Sequence, residues 1–350
     1  MTTGKIQIKI KCILCLIIFF DGISKITAQD SHFSQSWVTP LIQNPALAGA
    51  DQDLQTILVY RNQWNSVASP YKTFNFSFDS KLSKANKKKG FLAAGLNVLG
   101  DKAGESNMGT NSGMLSIAYH ILLDKNSTIG AGIMGGVVQR RIDYSQLKWA
   151  SQYNGSYNSS LPSGEPESDS RFIYLNTGFG VVWTYKKNEM YISGNDQVRT
   201  TAGISIFQPH QPAYSFYRND ENLKMKIISH GSGLFGIKNT NLCIVPSIVV
   251  SMQGKSNEIF LGSLFKYILK EDSKYTGNIK ASAVSLGIFY RNKDALIPTF
   301  FFEIGQYSLG LSYDINTSAL KQASNGRGGF EISLRFINPN PFFYKSASRI

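Results

Sequence analysis

SLGIFYRNKDALIPTFFFEIGQYSLGLSYDINTSALKQASNGRGGFEISLRF, residues Ser285–Phe336, falls into four segments joined by turn-forming stretches. They are Ser285–Arg291, Leu296–Glu303, Tyr307–Asp314 and Gly328–Phe336. In the third, Tyr307, Leu309, Leu311 and Tyr313 alternate with Ser308, Gly310, Ser312 and Asp314. A period of two is that of a strand, here with one greasy face and one small or polar face. In the last segment Phe330, Ile332, Leu334 and Phe336 alternate with Glu331, Ser333 and Arg335, and the run ends on an aromatic. A meander of such strands, closing near the C-terminus, predicts an all-β fold: an antiparallel transmembrane barrel of the outer-membrane type. Its apolar face points to lipid, so Leu334→Arg is expected to be damaging and Ser333→Arg to be tolerated better.

The chain starts differently. Residues 1–28 read as a secretory signal peptide: Lys5, Lys9 and Lys11 precede the apolar run Cys12–Phe20, and Ala28 offers a small residue before Gln29. That run is too short to span a bilayer as a helix. Cys15 follows Leu14 rather than a small residue, which argues against a lipoprotein site. Removing the leader takes Cys12 and Cys15, leaving Cys243 and no internal disulfide. It also takes Lys5, Lys9, Lys11, Lys25 and Asp21, so the formal charge falls from +13 to +10. An exported basic chain meets lipid phosphates and peptidoglycan, and nucleic acid is not an expected partner. No later stretch has eighteen consecutive apolar residues, which excludes a helical membrane protein. A hydrophobic content of 42% with 12% aromatics and a mean hydropathy of −0.14 is what alternating strands give.

About fourteen strands are expected between residues 54 and 336. The first are Leu54–Arg61, Tyr71–Leu82, Phe91–Leu99, Ser112–Leu123 and Thr128–Arg140. Phe172–Tyr185, Val198–Phe207, Leu223–Phe235, Leu242–Gln253 and Glu258–Leu269 lead into the C-terminal four. The alternation is clearest in Tyr71–Leu82, where Phe74, Phe76 and Phe78 oppose Thr73, Asn75 and Ser77. Residues 29–53 form a lead-in that is not strand-like, since Gln29–Ala50 holds two prolines with Asn44 and Gly49. Two readings of it stay open: a plug or partner-docking segment in the lumen, or a cap on the barrel mouth. Residues 337–350 are expected to be a periplasmic tail.

Parity orients the barrel. With both ends in the periplasm, the odd connections become external and include the two longest, Arg141–Ser170 and Gln208–Asn222. The even ones, such as Asp124–Ser127, are mostly short. Lys84, Lys87, Lys88, Lys89, Lys186 and Lys187 then fall on periplasmic turns, a candidate basic rim for an acidic periplasmic partner. Arg61, Trp64, Arg291 and Lys293 fall at outer strand ends, as candidate cargo-recognition residues or as a girdle meeting lipid phosphates.

No catalytic constellation is visible. His32, His120, His210 and His230 are dispersed and show no metal-ligand spacing. A serine beside a histidine, as at Ser229–His230, means little in so serine-rich a chain without an elbow or an orienting acid. The glycines of GAGIMGG (130–136) precede no helix pattern, and strand glycines suit barrel bends. No cofactor is expected.

Several stretches resemble one family. YRNKDALIP, SLGLSYDIN and GGFEISL near the C-terminus are similar to the PorP/SprF outer-membrane proteins of the type IX secretion system of Bacteroidetes. HFSQSWVTPLIQNPALAG (32–49), YRNQW (60–64), IFQPHQP (206–212) and VPSIVVSMQG (245–254) resemble it in the same order, so the likeness covers nearly the whole mature chain. It implies a non-enzymatic outer-membrane component, in contact with lipid and with periplasmic secretion components. Some members couple the outer membrane to the periplasmic machinery of secretion and gliding; others serve the export or surface attachment of one secreted adhesin. A passive porin is the alternative, because a lumen of this size holds water unless something fills it.

Overall fold

The computed structural model describes residues 32–65, 69–83, 90–104, 106–144, 147–164, 170–187, 195–217, 221–270, 281–318 and 321–338. The leader, Lys84, Lys87–Lys89 and the tail beyond residue 338 lie outside the described residues. Within them, fourteen antiparallel strands close into one barrel. In order these are β1 (Leu54–Gln63), β2 (Tyr71–Lys81), β3 (Phe91–Ala103), β4 (Met108–Leu122), β5 (Ser127–Arg141), β6 (Arg171–Lys187) and β7 (Val198–Phe207). They continue with β8 (Lys226–Gly236), β9 (Leu242–Gln253), β10 (Ser256–Lys270), β11 (Ser282–Arg291), β12 (Ala295–Ile304), β13 (Tyr307–Asn316) and β14 (Arg327–Asn338). Each strand pairs with its neighbours in sequence, and β1 pairs with β14 to remove the last edge. Closure leaves no free sheet edge, which a lipid environment demands.

The period of two sets the facing. Leu115, Ile133, Ile173 and Leu175 point outward and are each more than 60% exposed, while Ser116, Ala118 and His120 on β4 are buried. So continuous an apolar exterior is a lipid-facing belt. On β14, Phe330 and Leu334 are exposed whereas Glu331 and Ser333 are buried, the facing read from the alternation.

The odd connections gather at one end of the barrel and include both long ones, 142–170 and 208–225. The even connections share the other end with the start of β1 and the end of β14. The first is the long-loop end of the barrel and the second its terminal end.

The interior departs from a simple polar lumen. Ile57, Val59, Phe260, Phe289, Ile297 and Phe301 point inward and form a core with Phe33 and Val38. Residues 32–53 supply Phe33 and Val38 to that core and pack Trp37 and Ile42 against it. They form three short turns inside the barrel: Ser36–Val38, Pro40–Gln43 and Pro45–Leu47. Pro40 and Pro45 each open a turn, where the missing N–H costs nothing. The Asn44 side chain caps the last turn by accepting the Ala46 N–H at 2.9 Å.

The inward glycines of β5 and β6 have a reason of their own. A Cβ on Gly132 would lie 2.6 Å from the Ala46 nitrogen, and one on Gly180 would collide with the Asn44 side chain. They are bare so that another stretch of backbone can lie against the wall.

Candidate functional site

The N-terminal segment meets the barrel wall along the length of the lumen. The contact is built as a polar lock at each end with a packed middle.

At the long-loop end the lock is ionic and buried. Arg61 on β1 and Arg291 on β11 are each 1% exposed. Both guanidinium groups donate to Asp314 Oδ2 on β13, at 2.8 and 2.6 Å. Arg291 Nε also donates to Asp294 Oδ2 at 2.5 Å. Arg61 Nη1 donates to the His32 carbonyl at 2.6 Å and lies 3.8 Å from Glu331 Oε2. Glu331, fully buried on β14, accepts the Ser34 N–H at 2.6 Å and the Gln35 N–H at 2.8 Å. The Ser34 hydroxyl bonds Asp314, and Gln35 exchanges bonds with Ser333, Ser312 and the Glu331 carbonyl. Charges taken this far from water persist only when paired, as both guanidinium groups are with Asp314.

The middle is packed. Trp37 stacks on Phe289 with ring centroids 4.1 Å apart and leans on Phe260 and Phe301. The Asn44 amide reaches the carbonyls of Val181 (3.1 Å) and Ile204 (3.2 Å), which belong to adjacent strands, and lies 3.1 Å from His230 Nε2. His120 Nε2 meets the Ala48 carbonyl at 2.8 Å, and Asp79 accepts the Gly49 N–H at 2.9 Å. His120 and His230 are thus partners of the segment. Among the described residues no cluster of His, Cys, Asp and Glu could hold a metal ion. A cavity of about 100 Å³ remains beside the segment, reaching from the β7–β9 wall to β1 and β14, lined in part by Trp37, Gln43, Ile57, Thr201, His230 and Arg335.

At the terminal end the lock is formed by Lys186, whose ammonium donates to the carbonyls of Ala50 (2.9 Å) and Asp51 (2.7 Å). The Asp51 carboxylate is 3.4 Å from both Lys186 and Arg335, and Lys81 bonds Asp53 at 2.6 Å. The Asp51 side chain is 49% exposed, and the cations Lys186, Arg335 and Arg199 hold its carboxyl well below its usual range.

These positions correct the sequence reading of the rims. Arg61 and Arg291 are not outer-rim recognition residues: their side chains turn into the lumen and hold the N-terminal segment. The error came from their place near strand ends beside tyrosines, the pattern of an aromatic girdle. Face parity was the available signal, since Arg61 shares its face with Ile57 and Val59 and lies opposite Leu58 and Tyr60. Trp64 does sit at the long-loop end, edge-on to Tyr71 at 4.9 Å, and Lys293 is exposed on the β11–β12 turn. Lys186 is occupied by the segment, and Lys187 pairs with Asp196 at 3.0 Å, so neither is a free cation of a basic rim.

A closed fourteen-stranded barrel with a greasy exterior, its lumen occupied by its own N-terminal segment, is an outer-membrane β-barrel of the occluded kind. Residues 26–336 match the family described as type IX secretion system membrane protein PorP/SprF. The chain belongs to that family. No curated protein matches the sequence. Among solved structures, a FadL homologue of Pseudomonas aeruginosa is similar with a TM-score of 0.45 and 11% identity, over 86% of this chain and 94% of that one. The TodX monoaromatic hydrocarbon channel gives 0.36 and 9% over 85% and 92%. The translocator domain of autotransporter NalP from Neisseria meningitidis gives 0.32 and 8% over 82% and 88%. What those proteins conduct or translocate is their own property.

Proposed function

We propose that the protein works by binding rather than by conduction or catalysis. In this reading it is an occluded outer-membrane component of type IX secretion. It supports export or surface anchoring of a secreted adhesin, or links the outer membrane to the periplasmic secretion and gliding machinery. The observation that carries the reading is the filled lumen. A passive porin needs a continuous aqueous path, whereas here Trp37, Asn44 and the buried ion pairs around Arg61 occupy it.

The long-loop end faces outward in this reading and the terminal end faces the periplasm. The leader is cleaved before Gln29. Of the candidate outer-rim residues, Trp64 and Lys293 stay available for cargo. Of the candidate basic rim, Lys84 and Lys87–Lys89 are assigned in this reading to an acidic periplasmic partner.

The test joins two measurements. In planar bilayers the purified chain shows little steady conductance. In cells, deleting the gene abolishes surface display of a type IX cargo, and the intact chain restores it. Large steady conductance from the intact chain, with cargo display unaffected by the deletion, refutes the proposal in favour of the porin.

A further inference from the structure

Across five neighbouring strands, the residues at the long-loop ends share one register row on the lipid-facing side. Lys72 on β2 is the partner of Lys102 on β3, and Lys102 is the partner of Gly109 on β4. Gly109 is in turn the partner of Arg141 on β5, and Arg141 of Arg171 on β6. All four cationic side chains are exposed. None has an ion-pair partner among the described residues. Outward facing follows from parity: Lys72 lies on the face of Phe74, Lys102 on that of Val98, Arg141 on that of Val137, and Arg171 on that of Ile173. Those four apolar residues are exposed to the lipid side.

Lys72–Lys102 and Arg141–Arg171 are like charges placed directly opposite one another across adjacent strands, an arrangement that is destabilising by itself. With strands about 4.8 Å apart, the row spans roughly 19 Å. Its gap at β4 is bridged because Gly109 has no side chain. A Cβ there would lie 2.9 Å from Arg141 Nε and 3.1 Å from its Cγ, so the Arg141 stem lies across the glycine towards Lys102. Lys102 and Arg141 then line one cavity of about 280 Å³ with Asn107, Ile142 and Asp143. Asp143 is the carboxylate on that cavity, against two cations on it and two more beside it.

We infer that this row is a binding site for a phosphorylated glycolipid of the outer leaflet. The inference rests on the outward orientation of the long-loop end proposed above. The chemistry selects the occupant. Phosphate groups satisfy the arginines bidentately and the lysines as point charges. The cavity offers Asn107 to a sugar hydroxyl, and the apolar strip beneath the row receives acyl chains. A zwitterionic lipid carries no net charge to offset the row, and an acidic polypeptide leaves the apolar strip uncovered.

The experiment uses the full chain purified in detergent and bisphosphorylated lipid A as the probe, with retention read by native mass spectrometry. Wild type keeps lipid A through dilution. The triple variant Lys102→Gln, Arg141→Gln, Arg171→Gln, checked for barrel formation by heat-modifiable gel mobility, retains it at least about tenfold less well. Dephosphorylated lipid A binds wild type as weakly as the triple variant binds the intact lipid, and equimolar inorganic phosphate does not compete. Equal retention by wild type and triple variant overturns the inference, as does full competition by inorganic phosphate or an acidic peptide. If the triple variant does not form a barrel, Arg171→Gln alone is measured under the same criteria. Orientation is read separately: in intact cells a Ser156→Cys variant reacts with an impermeant maleimide. Failure of that labelling refutes the orientation and leaves the binding measured in detergent standing.

Discussion

Replacing Glu331 with alanine tests the lock at the long-loop end. The carboxylate accepts two backbone N–H groups of the N-terminal segment, from Ser34 and Gln35, and faces Arg61. Without it, both donors stay buried and unpaired, at about 1–3 kcal/mol each. Arg61 also loses one of its two carboxylates, and breaking a buried charge pair costs about 3–5 kcal/mol. These figures overlap because they count the same desolvation, so about 3–5 kcal/mol is expected for the whole change. At 1.4 kcal/mol per tenfold, this shifts the equilibrium between seated and released segment by roughly a hundredfold or more. Glu331→Gln keeps one acceptor oxygen and turns an N–H towards the other donor, so it should fall between. Chymotrypsin reads the outcome, because Phe33, Trp37 and Leu41 are substrates once the segment leaves the lumen. In detergent, Glu331→Ala should be cut there at least about tenfold faster than wild type, with Glu331→Gln between, while the strands resist. Equal cutting rates for all three proteins would show that Glu331 does not hold the segment.

Four further outcomes are expected. Gly132→Val should displace the Ala46 turn and raise steady conductance, whereas Ala131→Val, facing lipid one residue away, should leave conductance unchanged; bilayer recordings of the two decide it. Leu334→Arg, on the lipid face, should lower outer-membrane levels on an immunoblot, since a charge at mid-depth costs about 2–4 kcal/mol. Ser333→Arg should fail as well, contrary to what alternation alone suggests, because Ser333 is buried and bonded to Gln35; normal accumulation of Ser333→Arg would contradict the packing around Gln35. Protease added to intact cells should cut between Tyr153 and Ser170 and spare Lys84–Lys89, and cutting confined to the lysine turn would invert the orientation.

Strand number and facing were legible because lipid imposes one chemical rule on every outward position, and residues such as Phe74, Leu115 and Leu334 obey it. Strand ends were less so. β3 runs on through Gly100, Asp101 and Lys102, and β4 begins at Met108 rather than Ser112, because outside the lipid belt the alternation has nothing apolar to mark it. β14 likewise continues to Asn338, pairing with Leu54. The locks were the hardest to read. Each joins residues far apart in sequence, such as Gln35 with Ser333, and only the closed barrel brings them together. A hint lay in the inward cations Arg61 and Arg291 having inward acids, Asp314 and Glu331, on other strands.

Arg61 and Glu331 are partners in register across the seam between the first and last strands, and Glu331 also grips Ser34 and Gln35. Closing the seam and seating the segment are therefore coupled in the folded protein: Glu331 has its full set of partners only when β14 lies beside β1 and residues 34 and 35 lie against both.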